Sequence, residues 1–377
     1  MTIGEKELPK SSAERSILYL FNYSQAHELA SYRAGRVPGH RLFGFADLEK
    51  RGHRMWLCPG SRFLVGPFKR DVFWRFHQAF FAWRNRRKID CIVATHEANA
   101  LPVLLLKRLR LLKTPIVVVN VSMLQPKNLT RKRRWFWRWL LPAAELILSY
   151  CSFQIPWIQT EFALKTERLA FFPLGVDTEF FTTNASAENE FTAAKPEHRE
   201  SAAPGFCLSV GSNYGKDFET LLAALPHGIR LVIVTDETSA RHAASLVKPD
   251  QKVEISTAVP IEKLRELYRN ATLMVIPLHD MRVSLGQTVL LENMAMGKIV
   301  LISDTSSVRD YIEPNVSALA VPPYDADAMR ACIERVFAAP ESFAHIGIQA
   351  AQKVRQQFSS QQFADQLLRH IEKLVAR

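Results

Sequence analysis

The stretch "TLMVIPLHDMRVSLGQTVLLENMAMGKIVLISD", residues 272–304, reads as an apolar run of strand length, a polar loop, a helix and a second apolar run. "TLMVIPL" carries β-branched residues and reaches a stop at Pro277; "KIVLISD" has the same character. Between them a helix opens near Gly286 or Gln287, and Gly297 is placed to end it. Strand, crossover helix and strand predict a parallel sheet covered by helices.

The same rhythm runs outward in both directions. Upstream lie "FCLSVG", "DFETLLAAL", "IRLVIVT" and "IEKLRELYRNA". Before residue 182 come the strand "SILYLF" (16–21), a helix with Leu42, Phe45 and Leu48 at helical spacing that Gly52 stops, and then "DCIVATH", "ALPVLLLKRLRLL" and "TPIVVVNV". The polar stretch 182–205, rich in Ala, Ser and Glu, has no apolar periodicity and separates the two series. The 377 residues fit two or three domains of about 150 residues. The expected fold class is α/β, two Rossmann-like doubly wound domains facing a cleft. Residues 1–181 form the first, 182–205 a linker or exposed insertion, 206–358 the second, and 359–377 a final helix.

Charge divides the chain as well. Residues 1–180 hold 29 basic and 14 acidic side chains, a net +15, and the remainder hold 20 and 23, a net −3. The first half therefore faces something anionic: nucleic acid, an acidic membrane or a phosphorylated substrate. Two segments concentrate the effect. In "FKRDVFWRFHQAFFAWRNRRK" (68–88), Phe73, Phe76, Phe80 and Trp83 share one helical face, which is expected to pack on the sheet. In "RKRRWFWRWLL" (131–141), four cations precede three tryptophans, the composition of a helix lying in an anionic lipid interface. No nucleic-acid module is recognisable, so nucleic acid is not expected as a partner. The apolar region 101–124 is interrupted by Lys107, Arg108, Arg110 and Lys113, and the first sixteen residues are polar, so neither a span nor a signal peptide is expected. Five scattered cysteines show no metal or disulfide spacing and read as buried thiols. "DAD" at 325–327 reads as first-turn carboxylates of a helix rather than a metal motif, and no metal or cofactor is expected.

In an open parallel sheet, ligands sit beyond the carboxyl ends of the strands. There the helix after "TLMVIPL" presents unpaired N–H groups and its positive dipole end, an anion seat. Gly286 admits a close backbone approach, Thr288 adds a hydroxyl, and Glu292, roughly 9 Å further along, can accept from ribose hydroxyls. Lys216, between the loop glycine Gly211 and a helix, suits a diphosphate.

Five segments in order, "FFPLGVDTEFF" (171–181), "SVGSNYGKDFETLLAAL" (209–225), "LRELYRNATLMVIPL" (264–278), "GQTVLLENMAMGKIVLISD" (286–304) and "YIEPNVSALAVPPYDADAM" (311–329), resemble the retaining glycosyltransferases of the GT-B fold, family four. "VPGHRLFGFADLEKRGHRMWL" and "ATHEANALPVLLL" extend the resemblance more loosely into the first half. It implies a nucleotide-diphosphate sugar as donor, metal-independent transfer with retention, and a final helix, residues 359–375, crossing back to the first domain. By position, it implies that Glu292 binds the donor ribose, that Lys216 holds the diphosphate, and that Gln287 and Thr288 form the helix tip beside the phosphates. Gly175 and Asp177 fall in a structural Gly-Val-Asp turn.

The chain also departs from the family pattern. Ser284 replaces the first of two paired glutamates, and Ser212 replaces an arginine, with Arg282 as a compensating cation. Asn120, Val121 and Ser122 stand where a histidine is frequent, which leaves Asn120 and Ser122 on the acceptor or sugar side. His96 matches an earlier family histidine and, with Lys216, is the expected catalytic pair. The expectation is a cytoplasmic enzyme, peripheral on the inner membrane face, acting on a lipid-linked or saccharide acceptor, with a soluble phosphate-bearing acceptor as competitor. A non-catalytic binding or partner subunit and a nucleotide-sugar epimerase stay open.

Overall fold

The computed structural model describes residues 14–22, 25–59, 70–121, 129–182, 205–212, 214–281 and 283–376. Almost all of the expected linker, and the candidate residues Ser122 and Arg282, lie outside them.

The first lobe runs β1 (Ser16–Leu20), α1 (Ala26–Arg33), α2 (Phe45–Lys50), β2 (Arg54–Leu57), α3 (Arg70–Arg84), β3 (Cys91–Ala94), α4 (Glu97–Arg108), β4 (Ile116–Asn120), α5 (Arg131–Leu140), β5 (Leu146–Ser149), α6 (Gln154–Phe162) and β6 (Leu169–Phe171). The second runs β7 (Phe206–Val210), α7 (Phe218–Ala224), β8 (Arg230–Thr235), α8 (Glu237–Leu246), β9 (Lys252–Thr257), α9 (Ile261–Asn270), β10 (Leu273–Ile276), α10 (Gln287–Ala295), β11 (Val300–Ser303), β12 (Leu319–Val321), α11 (Ala326–Ala338) and α12 (Ala344–Gln357), and α13 (Ser360–Val375) closes the chain. Each lobe holds a six-stranded sheet, ordered β2-β1-β3-β4-β5-β6 and β12-β11-β10-β7-β8-β9, with parallel pairing throughout. These are two Rossmann-like domains. Their central strands are buried on both faces and therefore read as continuous apolar runs such as "IVVV" and "LMVI".

The second sheet follows the dinucleotide-fold order, which reverses between β7 and β10. Leu273 pairs with Cys207 and Met274 with Leu208, so the two strands end side by side, and the loops that leave them diverge around a crevice. That crevice opens toward the first lobe.

The chain crosses between lobes twice, at neighbouring points. Val176 N–H donates to the Phe358 carbonyl and Ser360 N–H to the Val176 carbonyl, both at 2.8 Å. Gly175 makes room, since a Cβ there would stand 2.7 Å from Phe363 Cβ. Val176 and Phe181 already belong to the second lobe's core. Conversely, Phe363, Leu367 and Ile371 of α13 are buried with Phe45, Leu48 and Phe172 in the core of the first. Additional polar contacts join the lobes beside the crevice. Tyr311 Oη donates to the Tyr150 carbonyl at 2.7 Å, and Ser152 donates to Asp310 through N–H at 2.8 Å and Oγ at 2.6 Å.

All five cysteines are buried and free. Asp325 caps α11 by accepting from Ala328 N–H at 2.9 Å, and Asp327 lies in its first turn, so "DAD" is a helix start. Among the described residues no helix is long and apolar enough to cross a membrane.

One expectation is overturned. Phe76 and Phe80 do not pack on the sheet; they are 54% and 55% exposed, and Phe73 is exposed too. The face of α3 that packs inward carries Trp74, Gln78, Ala79 and Ala82. Small alanines bring the helix close to the sheet, and Gln78 exchanges two 2.9 Å hydrogen bonds with the Phe21 backbone.

Candidate functional site

Lys216 stands in the turn that follows β7. Its N–H donates to the Ser212 carbonyl at 3.1 Å, and the next residue, Asp217, donates its N–H to the Pro277 carbonyl at the end of β10, also at 3.1 Å. The turn is thus stitched across the reversal point. Gly211, at φ +129°, lets the lysine stem lie against the backbone: a Cβ at this position would meet Lys216 Cε at 2.6 Å. The ammonium is buried and has no hydrogen-bond partner. Desolvation accordingly pulls its pKa from the usual lysine value to about 7. A buried unpaired cation is costly unless something anionic arrives to meet it.

Helix α10 supplies the second half of the seat. Gly286 caps it in the left-handed region, at φ +85°, and no acidic residue occupies its first turn. Its leading N–H groups therefore keep their positive end uncompensated. Thr288 at the tip is exposed, and Gln287 is buried, donating its side-chain amide to the Ser307 carbonyl at 2.7 Å and to Cys151 Sγ of the first lobe at 3.2 Å. Gln287 therefore ties helix and lobe together at the cavity wall.

Lys216 and the α10 tip share one cavity of about 330 Å³ between the lobes, walled on the second-lobe side by Gly211, Ser212, Ser284, Gly286, Gln287 and Thr288 among others. The first lobe contributes Phe43, Val121, Tyr150 and Leu174. No carboxylate is among the described lining residues. Tyr150 is new: its hydroxyl is buried, lacks a partner and belongs to a side chain in the cavity wall. Burial pushes its pKa up, so it stays protonated and able to donate. No sequence pattern marked it.

Glu292 is buried behind the tip and is absent from the cavity wall. Tyr268 Oη donates to its Oε2 at 2.9 Å, and Oε1 faces His40 Nε2 of the first lobe at 3.6 Å. His40 Nδ1 accepts from Asp177 N–H, while Asp177 accepts from Gly39, Glu179 and Phe180 N–H groups. Asp177 thus serves the crossing turn.

Two expected first-lobe residues are drawn away from the cavity. His96 is the N-cap of α4: its Nδ1 accepts from Ala98 N–H at 3.1 Å, and it does not line the cavity. Asn120 is buried with its amide donating to Gln154 Oε1 at 3.1 Å, and it is the next residue, Val121, that reaches the wall. Neither side chain is among the residues that line this cavity. Among the described residues, Asp217, Glu219 and His279 lie close enough to hold a metal ion, but both Asp217 oxygens already accept from Thr220.

Two facing Rossmann-like lobes with a cationic seat at the second lobe's switch point define a GT-B architecture. Residues 207–339, within the second lobe, match the family model for glycosyl transferases group 1. Solved structures share the fold over nearly the whole chain. A glycosyltransferase from Rickettsia africae is 15% identical with a TM-score of 0.72, over 97% of this chain and 99% of that one. Sucrose-phosphate synthase from Thermosynechococcus elongatus is 17% identical with a TM-score of 0.70, over 97% and 100%. HepE from Anabaena, solved in complex with UDP-glucose, is 14% identical with a TM-score of 0.67, over 95% and 99%. No curated protein matches the sequence.

Proposed function

We propose that the protein transfers a sugar from a nucleotide-diphosphate donor to a membrane-associated acceptor, a glycolipid or lipid-linked saccharide, at the cytoplasmic face of a membrane. The observation that carries this reading is the buried, partnerless Lys216 ammonium sharing one cavity with the carboxylate-free tip of α10. A diphosphate supplies the missing partner, and its charge grows as the bond to the anomeric carbon breaks, when ammonium and helix tip stabilise it most. The UDP-glucose held by the similarly folded HepE supports a nucleotide sugar as the donor class.

In this mechanism the acceptor hydroxyl attacks from the face the diphosphate leaves. A new bond forms from the acceptor oxygen to the anomeric carbon, the bond to the diphosphate oxygen breaks, and that oxygen takes the proton. Configuration is retained, no carboxylate base is required, and the charge stabilisation asks for no metal. Glu292 is the proposed ribose partner: Tyr268 fixes one oxygen, and a ribose takes the place of His40 at the other as the lobes part. The membrane acceptor rests on the basic, tryptophan-bearing α5, where Trp135 and Trp139 are exposed.

The test is transfer from a panel of nucleotide sugars to extracted lipids, read by mass spectrometry with and without EDTA, alongside calorimetric titration of UDP. Turnover that survives EDTA and a large loss of nucleotide affinity in Glu292→Ala are expected, with cooperative unfolding retained at a lower melting temperature because the buried Tyr268 hydroxyl loses its acceptor. Ser212 and Ser284 in the cavity wall favour a second reading, a donor-binding subunit without turnover. Tight UDP binding with no transfer to any acceptor selects it.

A further inference from the structure

The outward phenylalanines of α3 do not stand alone. Phe76, Phe80 and Trp83 of α3 line a groove of about 240 Å³ together with Leu105 of α4 and with Leu109 and Leu111 just beyond it. Phe76, Phe80, Leu109 and Leu111 are each about half exposed, a concentration of apolar surface that a solitary soluble protein seldom leaves to water. These residues come from the later turns of α3 and α4, which run back from the carboxyl edge of the sheet. The groove therefore lies toward the end of the lobe opposite the donor cavity.

Charge narrows the occupant. Arg84 follows Trp83, and Arg108 and Arg110 bracket Leu109, with Arg87, Lys88 and Lys113 close by in the chain; all six are exposed. Arg108 also lies 5.7 Å over the ring of Trp139, joining this surface to basic α5. A second copy of the chain would bring the same positive surface and be repelled. An occupant with hydrocarbon for the groove and anionic groups for the cations fits both halves.

We infer that the α3–α4 groove is a membrane anchor that admits the acyl chain of an anionic phospholipid while the surrounding arginines and lysines meet its headgroups. From the proposed function this takes only the membrane. It places the main contact on α3 and α4 rather than α5, and at a distance from the chemistry. Phe76 to Trp83 spans about 10 Å along the helix, enough to lie along a chain entering from the leaflet surface.

The test is flotation of the full-length protein with vesicles of phosphatidylcholine alone or mixed with phosphatidylglycerol, without donor or acceptor. Binding should require phosphatidylglycerol and weaken as salt rises. Phe76→Asp with Phe80→Asp should weaken it at least tenfold, and Trp135→Glu should change it less than threefold, with unaltered circular dichroism and UDP affinity in both. Equal binding to neutral vesicles, a larger loss in Trp135→Glu than in the α3 variant, or light scattering that shows a dimer abolished by the α3 substitutions each overturns the inference. Because UDP affinity and transfer to a detergent-solubilised acceptor are read separately, failure of flotation leaves the donor-site reading standing, and loss of UDP binding leaves the anchor standing.

Discussion

The two lobes bring their sheets to the same cleft and differ in how they treat the point where the strand order reverses. In the first lobe, Thr95 Oγ1 and Asn99 Nδ2 both donate to the Leu20 carbonyl, and Gln78 satisfies the Phe21 backbone in both directions. The strand ends around the reversal between β1 and β3 are thus held by their own neighbours. In the second, the reversal between β7 and β10 keeps a cation without a partner beside a helix tip without an acid. The difference separates a reversal point closed by its own side chains from one that leaves a lysine without a partner, although both sheets are six-stranded and parallel.

Lys216→Met should break that contrast outright. It is expected to lower nucleotide-diphosphate affinity by at least about 100-fold, measured by calorimetry, because it removes a charge-assisted contact in a dry site. The same substitution should raise the melting temperature of the unliganded protein, since a buried ammonium without a partner gives way to a side chain of similar shape. Acidity offers a milder version. With a pKa near 7, Lys216 is ammonium below that value, so donor affinity should be highest in mild acid. It should then fall up to about tenfold per pH unit above 7 until the complex itself titrates. Stability of the empty protein runs the other way: the unfolded chain holds the proton more tightly, so the Lys216 contribution improves as pH rises from 7.

Tyr150→Phe sharpens the comparison from the first-lobe side. Removing this unpaired hydroxyl should cut turnover by roughly tenfold, seen in kcat at saturating donor, with UDP affinity unchanged. The smallest effect is assigned to His96→Ala. Losing a cap should cost about 1 kcal/mol in a denaturant titration and leave transfer within twofold of the parent.

The sequence carried the second lobe well because its signals are local. Strand, glycine turn and helix follow one another between residues 272 and 304, and the chain direction alone puts Lys216 and Gly286 at one edge. The first lobe resisted because its questions concern which side of an element faces what. Helical spacing put Phe73, Phe76, Phe80 and Trp83 on a shared face, but it could not show that Ala79 and Ala82 would take the inward side. On β4 a single step in register decides the outcome: Asn120 turns to Gln154 and Val121 to the cavity. His96 sits just beyond a strand end, where capping and catalysis draw on the same residue types. Tyr150 became visible only when the lobes closed around it.

Helix α13 has a practical corollary for anyone dividing this protein. A single scission between residues 182 and 205 would not yield two independent pieces, because the front fragment would lose Phe363, Leu367 and Ile371 from its interior and expose Phe172 beneath them. The rear fragment would carry an orphaned amphipathic tail in search of a partner. Isolating the amino-terminal half therefore calls for grafting residues 359–376 onto its end, and fusions at the carboxyl terminus will sit on the first lobe.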